Sequence, residues 1–545
     1  MKNKPNSVVP DASTAESSAV PERAIKSLPV WRASARMLLV AATGLVATGL
    51  IATGMTGCAD MSGIESKSVM REAPSLGLPV VAPGAQATAV LDAEWWRDFG
   101  DEQLNQLIAQ ALESSPNLKL AQTRLARAQA VTEITAAATL PQVNAQLEAT
   151  RQRYTSTGLV PPPLAGTMRN TGTAQLSASW ELDFFGKNRA ALDAALGSVL
   201  AAEADAQAAR VLLASNVARS YFQLVRLNEQ VTLARRTLAQ REETLKLVQD
   251  RVGAGLDTRL ELRQSEGGLP EARLQLESLQ EQMILTRNAL GALIGQSNIA
   301  LAATPRAQDA IKNVAVTAMI PADLLGRRAD IAAARWRVEA SGKDVLNAKT
   351  QFYPNINLVG FAGFSSIGLN RLFDSASQQW GVGPALRLPI FDAGRLRANL
   401  RGKTAELDAA VESYNAAVLD AVRDVADQLA SMQAIGRQQT EQNLAKTAAE
   451  GAYEIALQRY KAGLGNYLNV LTAETNVLAQ RRGVVDLAAR ALDTQVALIR
   501  ALGGGYTARQ TNPQTHAQVQ APDAINKVAS NAALPGSTYT FDSKK

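Results

Sequence analysis

The chain is written twice. Within its 545 residues, Arg251-Val-Gly-Ala-Gly-Leu256 returns as Arg459-Tyr-Lys-Ala-Gly-Leu464, an offset of 208, and Gly186 returns as Gly394 at the same offset. Upstream, Pro141 matches Pro354 and Asn117-Leu118 matches Asp330-Ile331, both at 213. The change of offset falls in a loop between these marks, where length is tolerated. A tandem duplication covering about Leu91 to Leu502 follows, and each half must find the same fold.

Each half carries two stretches of strand periodicity. In Gln142 to Thr150, Val143, Ala145, Leu147 and Ala149 alternate with Gln142, Asn144, Gln146, Glu148 and Thr150; in Thr173 to Phe184, Ala174, Leu176, Ala178, Trp180, Leu182 and Phe184 alternate with polar residues. Pro161-Pro162-Pro163 and Gly166 mark a loop between them. The second half repeats the pattern as Pro354 to Phe364 and Trp380 to Phe391, where Trp380, Val382, Leu386, Leu388 and Ile390 share a face. The spacing predicts strands at about 142–154 and 171–185 in a first repeat (91–300), and at about 354–364 and 379–391 in a second (301–505).

Ahead of the repeats, Arg32 and Arg36 precede an apolar run, Met37 to Thr56, that ends in small residues at Gly57-Cys58. Basic flank, apolar stretch and small cut site are the order of a signal peptide (1–57). Cysteine directly after the cut resembles a lipobox, so Cys58 is expected to be acylated and to begin a lipidated linker (58–90). The competing reading is a retained spanning helix. Ala59, not Asp, follows the cysteine, which in lipoprotein sorting points to the outer membrane.

Strands of 10 to 12 residues cross an outer membrane when tilted, a task that takes about 9–11 residues. Four strands cannot close on themselves, and an open edge in lipid leaves backbone groups unpaired at several kcal/mol each. Three chains of four give twelve strands and a lumen wide enough for solutes, whereas eight would fill with side chains. The expected architecture is therefore an α+β membrane protein, a homotrimer with a twelve-stranded β-barrel.

Ala190 to Arg251 and Leu396 to Arg459 contain no Pro and are dense in helix formers. Sixty helical residues reach about 90 Å, too long for a compact domain. Leu224, Leu227, Val231, Ala234, Leu238, Leu245, Val248 and Val252 form an apolar seam, as do Val418, Val422, Val425, Leu429 and Met432. Each helix ends in a Gly-containing reversal, after which a second helix returns over Asp257 to Ile294 or Asn466 to Leu502.

Composition excludes other classes. Of the net charge of +6, half resides in residues 1–57, leaving 50 basic against 47 acidic residues and no basic stripe for nucleic acid. One histidine, His516, and one cysteine, Cys58, supply neither a catalytic set nor a metal cluster, and no cofactor motif is present, so no enzyme is expected. The tail, 506–545, is polar and expected to be disordered.

Taken in order, Trp95-Trp96-Arg97-Asp98-Phe99, Leu182-Asp183-Phe184-Phe185-Gly186, Arg327-Arg328-Ala329-Asp330-Ile331, Phe391-Asp392-Ala393-Gly394, Arg459-Tyr460-x-Ala462-Gly463 and Ala501-Leu502-Gly503-Gly504-Gly505 resemble the outer-membrane efflux proteins of the TolC and OprM type. The family usually has Pro where Ala329 stands. The resemblance implies a trimeric exit duct. Its β-barrel continues as a long α-helical barrel through the periplasm, to a periplasmic adaptor and an inner-membrane pump of the resistance-nodulation-division class. It implies adaptor contacts at the helix tips: Arg251, Ala254, Gly255 and Leu256, and Arg459, Ala462, Gly463 and Leu464. It also implies a periplasmic gate at Leu468, Thr472 and Thr475, where only the leucine is retained and threonines replace charged residues. Glu474 is then the candidate for any charged ring, and Tyr467 a further candidate to narrow the pore. The cargo implied is drugs or other small toxic compounds. A duct for type I protein secretion or metal efflux, and a lipid-anchored coiled-coil scaffold, are the alternatives.

Overall fold

A computed structural model describes residues 60–72, 91–296, 308, 311–312 and 324–506. The signal segment, Cys58, the linker beyond residue 72 and the tail after Tyr506 lie outside the described residues. The first half runs α1 (Glu102–Ser114), α2 (Pro116–Ala137), β1 (Gln142–Arg153), β2 (Met168–Leu182), α3 (Lys187–Gly253) and α4 (Arg259–Leu293). The second runs α5 (Ala329–Thr350), β3 (Asn355–Ile367), β4 (Gln378–Arg387), α6 (Arg395–Lys461) and α7 (Tyr467–Ala501). Three helix pairs agree in length: α2 and α5 have 22 residues, α3 and α6 have 67, α4 and α7 have 35; the opening helix differs, 13 residues in α1 against the 4-residue turn Leu324–Arg327. At about 1.5 Å per residue, the two longest extend about 100 Å.

The strand-to-helix corners explain why Asp and Gly recur there. Gly186 and Gly394 hold φ of 77° and 83°, a region closed to most side chains, and so let each strand break into a helix. Asp183 accepts from the backbone N–H of Asn188 (3.1 Å) and Arg189 (2.8 Å), and Asp392 from Leu396 (2.9 Å). The carboxylates thus cap the exposed N–H groups of the first turn.

The four strands form one antiparallel sheet in the order β1-β2-β3-β4. Its register keeps the apolar residues together: Ala145, Leu176, Ala362 and Trp380 lie opposite one another in one row, and Val143, Ala178, Gly360 and Val382 in the next. The opposite face carries Gln146, Gln175 and Gln379, and the last two hydrogen-bond at 3.0 Å across Gly363, which has no side chain to intervene. No helix or second sheet among the described residues covers either face, and only the β3–β4 connection folds back, over Gly172. Every residue of β1 is exposed, as are Leu147 (78 %), Trp380 (78 %) and Val382 (70 %). Among the described residues, the outer edges of β1 and β4 have no strand beside them. Among the described residues, no helix is long and apolar enough to cross a membrane.

The fourth strand stops earlier than its pattern predicts, at Arg387 instead of residue 391. Pro389 has no N–H to donate to a ladder, and Asp392 is already committed to the helix cap, so Leu388 and Ile390 fall beyond the strand. The second strand likewise ends at Leu182, because Asp183 begins the corner.

The core lies midway along the helices. The short 3-10 turn Trp95–Phe99 drives three aromatic rings into it: Trp95 packs edge-on to Trp96 at 5.7 Å, and Phe99 meets Phe222 of α3 at 5.1 Å. Burial of each such side chain stabilises by roughly 1.5–3 kcal/mol. Asp101 caps α1 through the N–H groups of Gln103 and Leu104, and accepts the buried Tyr221 hydroxyl at 2.7 Å. Arg328, just before α5, pairs with Asp330 (2.6 Å) and Asp424 (3.7 Å) and donates to the Ala501 carbonyl (3.3 Å), which joins the start of α5 to the middle of α6 and the end of α7. Ala329 opens α5 at the first helical position, where proline would also fit.

Gly503, Gly504 and Gly505 all have positive φ, and a Cβ on Gly503 would stand 1.9 Å from the Arg327 carbonyl oxygen. Gly503→Ala should therefore cost at least about 2 kcal/mol through backbone strain and the clash. A thermal unfolding midpoint of the detergent-solubilised protein lowered by several degrees is the expected readout, and an unchanged midpoint would contradict the packing.

Candidate functional site

Both hairpins turn in the same way. After α3, Gly255 (φ 74°) donates to Val252 and Leu256 donates to Arg251 at 2.9 Å; after α6, Gly463 (φ 76°) donates to Tyr460 and Leu464 to Arg459 at 2.8 Å. These paired bonds satisfy the last carbonyls of each helix, and the left-handed residue is glycine because it has no Cβ. The return helices are capped by Thr258, in a reciprocal box with Glu261, and by Asn466.

At the tips the two repeats part company. Asp257 stands where the second repeat has Gly465, and Tyr460 where the first has Val252. Arg251 grips Asp257 with two guanidinium nitrogens at 2.9 and 3.3 Å, the Tyr460 hydroxyl donates to the same carboxylate, and the guanidinium lies 4.6 Å above the Tyr460 ring. Tyr460 is fully buried and packs against Tyr467 at 5.9 Å. Burial pushes the Asp257 carboxyl up, but the hydrogen bonds from Arg251 and Tyr460 outweigh it and hold the group below the ordinary aspartate range. Burial and the facing carboxylate push the Tyr460 phenol up. The cluster ties the second hairpin to the first within one chain.

A second tie lies further up. Arg241 of α3 meets Glu474 of α7 at 3.3 Å, Glu271 of α4 at 3.1 Å and the Gly268 carbonyl at 2.8 Å. Beside it the Tyr453 hydroxyl is bonded to Gln240, and burial, with the nearby Glu474 charge, pushes that phenol up to about 12. Burial also raises the Glu474 carboxyl, against the opposing pull of Arg241.

This geometry sorts the residues singled out in the sequence. Leu468 (54 % exposed), Thr472 and Thr475 share an exposed face of α7, and the two threonine hydroxyls donate back to the carbonyls of Leu468 and Leu471 at 2.9 Å. Tyr467 and Glu474 are on the other face, 5 and 6 % exposed, and turn toward the first hairpin. Glu474 is therefore spent on Arg241 and Tyr467 on Tyr460; neither shares the face of Leu468 and Thr472. At the tips, Ala254, Gly255, Leu256 (65 %), Ala462, Gly463 and Leu464 (70 %) are exposed, and Arg459 is exposed with its guanidinium on the Leu464 carbonyl. Arg251, its repeat counterpart, is withdrawn into the Asp257 cluster. Asp257, Tyr460 and Arg241 were not singled out by sequence reasoning. The signal available was the mismatch between repeats at 257 and 465, and at 252 and 460. Among the described residues, no group of three or more His, Cys, Asp or Glu is placed to hold a metal ion.

The family model for outer membrane efflux proteins matches residues 107–296 and 320–504. The multidrug resistance outer membrane protein MdtQ of Escherichia coli is 33 % identical over 472 residues, covering 83 % of this chain and 96 % of its own. The pyoverdine export outer membrane protein OpmQ of Pseudomonas aeruginosa is 35 % identical over 420 residues, 76 % of this chain and 87 % of its own. The crystal structure of the outer membrane protein VceC from Vibrio cholerae superimposes with a TM-score of 0.72 at 35 % identity, covering 77 % of this chain and all of that one. The duplicated helical hairpins, the four-stranded sheet and these likenesses agree: the chain belongs to the outer membrane efflux protein family, and it is a non-catalytic outer-membrane channel of a tripartite efflux system.

Proposed function

We propose that three copies join edge to edge, β4 of one to β1 of the next, into a twelve-stranded barrel that opens the outer membrane to small toxic organic compounds. The observation that carries this reading is the sheet itself, with one apolar face, one polar face, no helix laid over either and, among the described residues, two unpaired edges. Lipid suits the apolar face, water the polar one, and only ring closure pairs the edges. The helices then continue the ring through the periplasm as an α-helical barrel. Cys58, once acylated, anchors the chain to outer membrane lipid. Transport is passive here. A periplasmic adaptor docks on Ala254, Gly255, Leu256, Arg459, Ala462, Gly463 and Leu464, and a resistance-nodulation-division pump in the inner membrane supplies cargo and energy. Relatives named for multidrug resistance and pyoverdine export support small organic cargo. Mass measurement of the detergent complex tests closure: three chains per particle are expected, and a monomer or dimer that conducts would overturn the reading.

In this channel the Arg251–Asp257–Tyr460 cluster holds the second hairpin inward and keeps the periplasmic end closed. Asp257→Asn combined with Tyr460→Phe removes a charge-assisted bond and a buried one, about 2 kcal/mol. Conductance of the reconstituted channel should rise on the order of tenfold or more, and an unchanged closed channel would exclude the latch. The folded Asp257 titrates below its unfolded value, so its contribution is complete above the ordinary aspartate range and is lost as pH falls through the lowered value. The wild-type latch should accordingly hold at mildly acidic pH.

Leu468, Thr472 and Thr475 narrow the entrance without charge. Divalent cations should then block the unmodified channel poorly, whereas Thr472→Asp places like charges around one axis and should create cation selectivity and block. Glu474→Gln should leave block unchanged, since that carboxylate faces Arg241. Strong block of the unmodified channel that Glu474→Gln abolishes would restore an acidic ring.

A further inference from the structure

The far end of the sheet, away from the helices, carries a feature that conduction does not use. The connection from β3 to β4 does not extend away from the strands. Gly368 donates to the Asn170 carbonyl at 2.7 Å and turns the chain back; Leu369 and Leu372 then settle over Gly172, where a Cβ would meet them at 2.9 and 3.2 Å. Phe373 meets the Phe364 ring edge-on at 5.6 Å. Gly172 and Phe364 belong to the apolar face, in the rows of Ala149 and Leu147, so the connection is folded over the outside of the sheet.

Three apolar side chains stand exposed there: Met168 (57 %), Leu369 (45 %) and Phe373 (72 %). Beside them the apolar alternation of β1 changes character. Val143, Ala145, Leu147 and Ala149 are followed on the same face by Arg151 and Arg153, which pair with Asn170 and Met168 of β2. Both arginines are exposed, and Arg151 reaches no further than the Met168 sulfur at 3.3 Å. Arg371, in the folded connection, is 69 % exposed and touches a single carboxylate, Asp374, at 3.5 Å. Three guanidinium groups, two of them on the apolar face of β1 and one on the folded connection, thus lie beyond the apolar rows at this end of the sheet.

We propose that this rim binds the phosphorylated head group of a glycolipid of the outer leaflet, with its acyl chains against the belt of Leu147, Leu176 and Trp380. The inference rests on the reading of the sheet as a membrane barrel. Guanidinium groups match phosphate oxygens in pairs and keep their charge at any physiological pH. Aromatic and thioether side chains beside them suit the boundary between head groups and hydrocarbon. The occupant is a lipid and not free phosphate, because the arginines are open to water, where each pairs weakly with an ion alone, and because the adjoining apolar residues fit a chain and not an ion.

The test uses the full channel in detergent, with bound lipid counted by native mass spectrometry after incubation with bisphosphorylated lipid A, with the same lipid stripped of phosphate, or with phosphatidylglycerol. Wild type should retain the bisphosphorylated lipid about tenfold better than the stripped one, the difference expected of several arginines at an anionic surface. Arg151→Gln/Arg153→Gln/Arg371→Gln should abolish that preference while conductance in a planar bilayer stays at the wild-type level. Equal retention by variant and wild type, equal retention of the stripped lipid or of phosphatidylglycerol, or displacement by inorganic phosphate would each overturn the proposal. A wild-type particle that is not a trimer would overturn the barrel reading, and this one with it, whereas a trimer without phosphate preference overturns this one alone.

Discussion

Backbone N–H and C=O groups cannot be left unpaired in hydrocarbon, and the rest of the molecule follows from that requirement. A sheet of four strands has two edges, and among the described residues nothing pairs with either one. Neither face carries a layer of helices, because the side chains of the two faces are suited to different solvents, not to a common core. Helices laid over the sheet, the usual way of stabilising it in a soluble protein, would bury the polar face and shield the apolar one from lipid. The helices therefore leave the sheet end-on. The Asp-capped glycine corners at Gly186 and Gly394 make that departure possible.

The duplication supplies a pair of nearly equal rods, and the structure uses the near-equality and the departures from it for different ends. Helix lengths, tip glycines and capping positions repeat because they solve the same backbone problem twice. The charged and aromatic residues at the tips do not repeat. Arg251 and Arg459 occupy equivalent places, yet only Arg251 finds an acid, because its neighbour across the turn is Asp257 and the neighbour of Arg459 is Gly465. One hairpin became the anchor and the other the part it holds.

Much of this was legible in the residues. Alternation located the strands to within a few positions, and the offsets of 208 and 213 are reproduced in helix boundaries. Legibility failed where a residue serves two elements. The pattern Trp380, Val382, Leu386, Leu388 and Ile390 continues past the end of β4, because periodicity carries no information about Pro389 and the helix cap that stop the ladder. Glu474 and Tyr467 were placed at a pore by their closeness in sequence to Leu468 and Thr472, which does not tell which face of the helix meets the other hairpin. The Arg241–Glu474 pair spans 233 positions of sequence, and no local pattern announces it.

Every bond in the Arg251–Asp257–Tyr460 cluster is made within one chain. Opening one tip therefore breaks bonds internal to that chain. In a ring of three such chains the aperture has not two states but four, with none, one, two or three tips released. The statistics of those steps would follow a binomial law unless contacts between subunits couple them. Graded leakage, not an all-or-none transition, is the kinetic signature of a lock built in this way.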